Sequence, residues 1–304
     1  MPQTPLQQST EYADTLCRMG ICVTKGATGL QLTRRTPLGR LTYIPRGHWE
    51  HKRRPDGLTL INASDVATDA NLAELGFLPI VTPQTIAILD ISDTDANRLR
   101  AAHGKWRNRL RRATREPIHI KQTPFCPHRH GWLLKKETDQ RRENRYAALP
   151  HAFLQAYPSN KTLVLEAWAA NVPIAAMLFL LHFPSATYHL GWSGQTGRAL
   201  NAHTLLLWRA SQILHDRGLR QLELGTLDTK NAPGLARFKL GSGAKPLLLG
   251  HTWLFIPGLS PLIRAIRRRG GFTSGLFSEG SIGGPRTSQE TPHGSAQHRH
   301  HRPR

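Results

Sequence analysis

Residues 187–240 constrain the possible folds of this chain more than any other segment, because several features follow one another in a fixed order. Residues 187–193 predict a strand, and a glycine-bearing loop follows it. Next come an amphipathic helix at residues 204–216, a second strand at residues 221–225, and a basic turn with the sequence RFKLG. This order places a loop and a helix N-terminus beside the end of a strand, a position that suits a phosphate group.

The charge of the chain indicates an anionic partner. The net charge is +21 and the isoelectric point is about 11.1. Such a surface attracts RNA, anionic lipid, or phosphate-bearing substrates such as coenzyme A or nucleotide sugars. Residues 259–304 hold eight arginines and two glutamates, so most of the excess positive charge belongs to the chain before them.

Cysteine usage and hydropathy predict a soluble, cytoplasmic protein. Three cysteines without a CxxC pair argue against a disulfide framework. Residues 1–14 lack the apolar core of a signal peptide. The longest apolar run, residues 172–181, is about half as long as a membrane span, so we expect no transmembrane segment. We also expect no metal site, because Cys126, His128 and His130 lack a fourth ligand and the histidines near the C-terminus are compositional.

One helix carries an unusual charge pattern. Residues 95–115 repeat an apolar residue every three or four positions, which predicts a helix with one apolar stripe. The stripe consists of Leu99, Ala102, Trp106, Leu110 and Ala113. No acidic residue lies between Ala96 and Arg115, so i,i+4 ion pairs cannot neutralise the lysines and arginines of the other faces. We interpret this helix as facing an anion, and the alternative is a solvated basic face.

The remaining pattern is typical of an α/β protein. Three strands, at residues 162–168, 173–183 and 187–193, form an antiparallel meander. Both halves of the chain run strands, then helix, then strand, which is consistent with an old duplication of one α/β unit.

Several blocks of this sequence resemble one family in the same order. Residues 104–113, GKWRNRLRRA, resemble the K-x-R-x-N-x-R-K-A helix of the Fem-type aminoacyl- and acyltransferases. The later blocks resemble the family's Y-x-x-G-x-S strand, H-L-L-x-W helix start, D-x-G-G-type strand end and F-K-x-G turn. These blocks are residues 188–193, 203–208, 222–225 and 237–241. The predicted order of three antiparallel strands, loop, helix and strand is also the core order of the GNAT acyltransferase superfamily, and the resemblance covers roughly residues 20–257.

The resemblance implies an α/β fold with a GNAT-like mixed, mainly antiparallel sheet flanked by helices, in two GNAT-like lobes. We expect the N-terminal lobe at residues 1–115, ending in the basic helix, and the catalytic lobe at residues 116–258. A basic tail rich in His, Arg and Gly, residues 259–304, is expected to be disordered.

The function implied by the resemblance is transfer of an acyl group, such as acetyl, from acyl-CoA to an amine. We expect acyl-CoA as a co-substrate and no tightly bound cofactor. One alternative is a Fem-type transferase that uses aminoacyl-tRNA as its donor. An alternative from another class is an RNA-binding protein on a degenerate acyltransferase scaffold, with the basic surface contacting RNA or anionic lipid.

Two residues are candidates for the base that accepts the amine proton. His189 has a side chain of suitable pKa, and strand alternation places it on one face with Gly191 and Ser193, opposite Tyr188, Leu190 and Trp192. A buried structural histidine is the competing interpretation. Asp228 follows the strand at residues 221–225, where it would orient the amine or cap the next turn.

The remaining candidates bind the donor and its phosphates. The donor would lie along the loop and helix start formed by Gly191, Gln195, Gly197, Arg198, Ala199 and Asn201. Phosphate would be held by Arg237 and Lys239 in the basic turn. The basic helix adds Lys105, Arg109 and Arg112 on one face, with Asn108 beside them. We expect this helix to form the second wall of a basic cleft.

Overall fold

The computed structural model describes residues 4–37, 39–49, 53–144 and 149–268 of this 304-residue chain. Within them lie two β-sheets with helices against their faces. All described residues up to Arg264 belong to one compact unit.

The first sheet has six strands in the order β1-β2-β3-β4-β13-β5. The strands are β1 (Val23–Gly26), β2 (Gly29–Thr36), β3 (Gly39–Gly47), β4 (Leu58–Ala63), β5 (Leu78–Val81) and β13 (Thr252–Phe255). Only the pair β3 and β4 is parallel among these neighbours. Ile61, Phe77 and Trp253 form the core of this sheet with helix α2 (Val66–Leu75).

The second sheet has seven strands in the order β12-β6-β11-β10-β9-β8-β7. They are β6 (Thr85–Asp90), β7 (His119–Thr123), β8 (Thr162–Ala169), β9 (Val172–His182), β10 (Ser185–Ser193), β11 (Gln221–Thr226) and β12 (Lys245–Leu248). The predicted meander is confirmed as β8, β9 and β10, which pair antiparallel. Strand β11 then pairs parallel to β10, and this is the only parallel pair among the described strands of this sheet.

Each face of the second sheet has its own core. Phe179, Leu206 and Trp106 belong to one core, and Leu178, Leu133 and Phe153 to the other. The remaining helices are α1 (Thr10–Arg18), α3 (Asp95–Ala101), α4 (Gly104–Ala113), α5 (Pro127–Asn144), α6 (His151–Ala156), α7 (Gln195–Ala199), α8 (Ala202–Asp216), α9 (Pro233–Gly241) and α10 (Ser260–Arg268). Helices α4 and α8 cover the first core, and α5 lies against β10 on the other face.

The two sheets do not divide the chain at residue 115. Strand β6, which precedes that position, lies between β12 and β11 in the second sheet, whereas β13 from the end of the chain lies between β4 and β5 in the first. The predicted lobes 1–115 and 116–258 therefore exchange one strand each. A regular duplication pattern in the sequence does not reveal such an exchange, because pairing between distant strands leaves no local signal.

The single basic helix expected at residues 95–115 is two helices. Ala102 has an extended backbone (φ −69°, ψ 145°), which ends α3, and the His103 side chain accepts a hydrogen bond from the Lys105 amide at the start of α4. The apolar stripe is confirmed, since Trp106, Leu110 and Ala113 are all buried. Hydrophobic periodicity alone missed the break because the stripe continues across it.

The C-terminal tail begins within a helix. Residues 260–268 form α10, which corrects the expectation of disorder from residue 259 onward. The rest of the predicted tail, residues 269–304, lies outside the described residues. None of the described helices is long and apolar enough to cross a membrane.

Candidate active site

The main cleft of this protein opens where β10 and β11 separate. The two strands pair at Ser185 with Gln221, Ala186 with Leu222 and Thr187 with Glu223, and no described pair continues the ladder, although both strands run on. Residues 187–193 and 224–226 instead line a cavity of about 880 Å³. Beyond Thr187 and Glu223, the backbones of β10 and β11 therefore face the cavity, and no described pair joins the two strands across it.

Bulges in both strands accompany the separation. In β10 the register against β9 shifts between Tyr188 and Leu190, so His189 is the inserted residue. In β11 the register against β6 shifts between Glu223 and Thr226, where Gly225 has a φ of +76° that favours glycine. A bulge bends its strand and increases the local twist, which explains why the paired strands diverge at this level.

The bulge corrects the predicted faces of β10. The centre of the Tyr188 ring lies 5.6 Å from that of Phe179, and the Tyr188 ring lies over Gly191. Tyr188 and Gly191 therefore lie on the same face of the sheet as Phe179. Leu190 and Trp192 belong to the opposite core. The expectation that Tyr188, Leu190 and Trp192 share one face is wrong, because the inserted residue inverts the alternation beyond it.

A buried lysine lies at the end of β11. Lys239, from α9, is 5% exposed, lines the cleft, and donates a hydrogen bond from Nζ to the Thr226 carbonyl at 2.7 Å. Burial lowers the pKa of Lys239 to about 8, against the opposing attraction of Glu223. The ammonium is therefore mostly charged at neutral pH, and it places a buried positive charge at the lining of the cleft.

Glu223 connects this lysine to the first sheet. Its carboxylate forms an ion pair with Arg46 Nη1 at 3.1 Å, and both side chains are about nine-tenths buried. Arg46 lies on β3 with a left-handed backbone (φ +50°), which is uncommon for a residue other than glycine. A second cavity of about 280 Å³ adjoins this ion pair and shares Gly225 and Thr226 with the main cleft.

Helix α5 forms an acidic wall of the cleft, in contrast to the positive charge of Lys239. It contributes Lys136, Glu137, Asp139, Gln140 and Glu143 to the lining. Glu137 is 5% exposed, and its Oε2 lies 2.9 Å from His151 Nε2. Burial lowers the pKa of His189 to about 4, although the negative charge of Glu137 opposes this shift, so the His189 ring is neutral at neutral pH.

The predicted donor loop is packed against the protein. Gly197 is buried in α7, and a side chain there would collide with the Ile174 carbonyl oxygen, so this glycine permits a close contact between α7 and β9. Arg198 lines the cleft and donates from Nη1 to the Ser193 carbonyl at 2.6 Å. Gln195, Ala199 and Asn201 are not among the residues that line the cleft.

Two other candidates are not among the residues that line the cleft. Asp228 accepts hydrogen bonds from the backbone amides of Lys230 and Asn231 and from the Asn231 side chain, and these bonds lower the pKa of its carboxyl group. This is the turn-capping arrangement that competed with a catalytic role. Arg237 is exposed and donates from Nε to the Pro233 carbonyl within its own helix.

The basic face of α4 is exposed and lies outside the cleft lining. It carries Lys105, Asn108, Arg109 and Arg112. Trp106 anchors α4 on its opposite side, 6.4 Å from the Trp208 ring of α8 and against Gly241 of α9. Because α8 and α9 supply His203 and Lys239 to the cleft, α4 lies on the outer side of the helices that line it.

The structure thus brings His189, Gly191, Arg198 and Lys239 into one cleft and leaves the other predicted site residues outside its lining. Sequence reasoning missed the acidic wall of α5 and the Arg46–Glu223 pair. The segment that forms α5 is so rich in both charges that single acids do not stand out. No pattern in the sequence joins Arg46 to Glu223, since they lie 177 positions apart.

Comparison with known proteins identifies the fold. No protein-family model and no curated protein matches the sequence. Among solved structures, FemX superposes with a TM-score of 0.67 at 14% identity, covering 87% of this chain and 95% of FemX. The C-terminal domain of a putative lysylphosphatidylglycerol synthetase from Agrobacterium fabrum has a TM-score of 0.54 at 11% identity, covering 88% of this chain and 95% of that domain.

A third similar structure, L-PGS from Bacillus licheniformis, has a TM-score of 0.51 at 14% identity, covering 84% of this chain and 90% of that one. The Fem-like, GNAT-type α/β fold predicted from the sequence is confirmed by these similarities and by the two sheets. Because these identities are only 11–14%, the similarities show the fold alone.

Proposed function

We propose that this protein is an N-acyltransferase in which an amine attacks an activated acyl donor between β10 and β11. The observation that carries the proposal is the cleft itself, where two parallel strands separate and a buried ammonium, Lys239, lies at the end of one of them. The similarity of the fold to FemX and to lysylphosphatidylglycerol synthetases supports a transferase.

The reaction needs positioning and charge stabilisation more than covalent help from the protein. The amine nitrogen forms a bond to the carbonyl carbon, and the bond from that carbon to the donor's sulfur or oxygen breaks. The proton that the attacking nitrogen loses passes to the leaving group. Negative charge develops on the carbonyl oxygen on the way. A charged Lys239 and the β10 backbone that lines the cleft beyond its last described pair with β11 are suited to stabilise it.

Acyl-CoA is the donor that the sequence predicts. Its phosphates would be attracted by Arg198, because this residue carries the positive charge of the predicted donor loop and lines the cleft. The packing of Gly197 against β9 means that this donor would bind beside α7 and not within the loop itself.

Aminoacyl-tRNA is a second candidate donor, and the position of α4 specifically favours it. The exposed Lys105, Arg109 and Arg112 lie on the helix that covers α8 and α9, outside the cleft. A polyanion held there would place its acyl end near the cleft while its body remains outside. Binding of this kind is dominated by phosphate contacts and weakens as salt increases.

Donor-transfer assays on the purified protein test both candidates. Radiolabelled acetyl-CoA and aminoacyl-tRNA are each incubated with a panel of amines, and labelled amide is quantified for the wild type and for K239M. We expect transfer from one of the two donors, and a loss of at least about 100-fold in K239M if Lys239 stabilises the oxyanion. No amide from either donor with any amine would contradict the proposal.

A matched pair of surface variants separates the two donors. K105Q/R109Q/R112Q removes three exposed charges from α4, and R34Q/R35Q/R40Q removes three exposed charges from the first sheet. If the donor is aminoacyl-tRNA, only the α4 variant should raise its KM and reduce the salt dependence of binding. If the donor is acyl-CoA, both variants should keep the wild-type KM. RNA binding without any transfer would favour an RNA-binding protein on this scaffold.

A further inference from the structure

The cleft carries an acidic wall in a strongly basic protein. Glu137, Asp139 and Glu143 of α5 all line it, whereas the chain as a whole has a net charge of +21. The one basic residue that α5 adds to the lining, Lys136, has its ammonium 5.8 Å from the centre of the Trp192 ring. Acidic residues alone do not make a binding site, so the argument depends on the surroundings of Glu137.

Glu137 has a buried carboxylate oxygen for which the described part of the chain offers no hydrogen bond. Its Oε2 contacts His151, whereas its Oε1 has no hydrogen-bond partner among the described residues. Burying a carboxyl oxygen in this way opposes folding unless a partner is supplied. Glu137 is also one of the residues lining the cleft, so a substrate is in a position to supply that partner.

The bulge in β10 gives Glu137 a neutral neighbour. Because His189 is the inserted residue, it lies near α5, where its charge state responds to Glu137 and His151. A neutral ring adds a hydrogen-bond acceptor to this part of the cleft and no competing positive charge. Glu137 and His189 together form a small acceptor-rich corner that suits a hydrogen-bond donor with a positive charge.

We propose that Glu137 binds an ammonium group of the substrate, and this inference rests on the proposed acyl transfer. The ammonium comes either from the α-amino group of an aminoacyl donor or from a second amine of a diamine acceptor. The cleft is then divided by charge: the ammonium lies at α5, and the carbonyl oxygen or phosphate lies toward Lys239 and Arg198. Glu137 acts as a specificity-determining residue for a cationic substrate.

Binding of paired probes tests this inference without any turnover. For the acceptor, 1,5-diaminopentane is compared with 5-amino-1-pentanol, and for the donor, alanine methyl ester is compared with methyl lactate. Each pair differs by one ammonium group, and binding to the full-length protein is measured by calorimetry. We expect the wild type to prefer the charged member of one pair by at least tenfold, and E137Q to reduce that preference to less than twofold.

The pair that responds identifies the source of the ammonium. D139N and E143Q are the matched controls, because these exposed residues line the same wall and should each change the preference by less than threefold. E137L is a second variant in case the glutamine is poorly accommodated: it removes the unpartnered oxygen and should keep the fold while losing the preference.

An unchanged preference in both E137Q and E137L, or no preference in the wild type for either pair, would overturn the inference. Its failure is distinguishable from failure of the proposed function, because binding and transfer are measured separately. Amide formation with unchanged preference leaves acyl transfer standing without the ammonium site. Conversely, a preference that depends on Glu137 without amide formation from any donor supports a cationic ligand and contradicts acyl transfer.

Discussion

At the scale of single residues, Lys239 is the buried cation of the cleft. It is buried, its Nζ is hydrogen-bonded to the Thr226 carbonyl, and it lies near the carboxylate of Glu223. The RFKLG pattern in the sequence predicted a basic residue at a functional site here. What the pattern did not contain is the burial, which lowers the pKa of Lys239 and makes its charge sensitive to mildly alkaline pH.

The lowered pKa of Lys239 predicts how stability depends on pH. From its usual value near 10.5 the pKa falls to about 8 in the folded protein, so between these values the unfolded chain binds more protons. Stability should therefore gain up to about 3 kcal/mol from this residue as pH rises through that window. Urea unfolding at pH 7.5 and 10.5 measures this gain: the difference in free energy of unfolding between the wild type and K239M should change by that amount between the two pH values.

The exposed Lys161 provides the control for this measurement. Its side chain is 46% exposed, so K161M should change the free energy of unfolding by less than about 1 kcal/mol at each of the two pH values. If the wild type and K239M keep the same difference at both pH values, the assignment of a lowered pKa is wrong. The same titration predicts that acyl transfer slows as pH rises above about 8, since the charged form is then lost.

Asp69 performs a structural task at the same scale. Its carboxylate accepts hydrogen bonds from the His251 amide at 2.9 Å, from His251 Nδ1 at 2.7 Å and from Trp253 Nε1 at 2.6 Å, all of them buried. Asp69→Ala removes the acceptor for all three and should lower the free energy of unfolding by about 3–5 kcal/mol. Chemical denaturation checks this value.

Asp56 is the matched control for Asp69. It forms an ion pair with Arg53 in which the two side chains are 90% and 83% exposed, so Asp56→Ala should change stability by less than about 0.5 kcal/mol. Equal effects of the two substitutions would show that burial of the Asp69 network contributes nothing.

At the scale of elements, glycine and one inserted residue decide the geometry around the cleft. The sequence predicted that Gly197 belongs to a loop open to a ligand, but the glycine packs against the Ile174 carbonyl of β9. Similarly, the alternation of β10 failed at His189, because an inserted residue changes the face of every residue after it. Local sequence specifies that a loop or strand exists, whereas neighbouring backbone decides its exact register.

Substitution of Gly197 tests its packing role. Gly197→Ala should destabilise the protein by about 1–3 kcal/mol, because the new methyl group meets backbone that cannot rotate away. Thermal and urea unfolding measure the effect. Gly234→Ala, in helix α9 with nothing within 4 Å of the added carbon, should be neutral or slightly stabilising. A neutral Gly197→Ala would mean that α7 is free to shift and that the loop remains open to a ligand.

At the scale of the whole molecule, the exchange of strands makes the two sheets depend on each other. Strand β6 lies inside the second sheet and β13 inside the first, and the buried Arg46–Glu223 pair also joins the two sheets. A sheet that loses an interior strand exposes unpaired backbone and part of its core. The two sheets should therefore fold as one cooperative unit.

A fragment test follows from this interdependence. A fragment of residues 1–115 lacks β13 and the partners of β6, so we expect no cooperative unfolding transition and no dispersed amide spectrum by NMR. The full chain should unfold in a single transition. A fragment that folds alone would instead support residues 1–115 as an independent domain.

The sequence by itself determined the meander at residues 162–193 with the helix and strand that follow it, the apolar stripe of α4 and the Fem-like fold, because periodicity and motif order are local properties. It also selected four residues that meet in the cleft, namely His189, Gly191, Arg198 and Lys239. Only the tertiary structure decided that the basic face of α4 is not part of the cleft lining, that β6 and β13 exchange sheets, and that Glu137 lines the cleft. Strand pairing and burial join residues far apart in the chain, and no local pattern encodes such contacts.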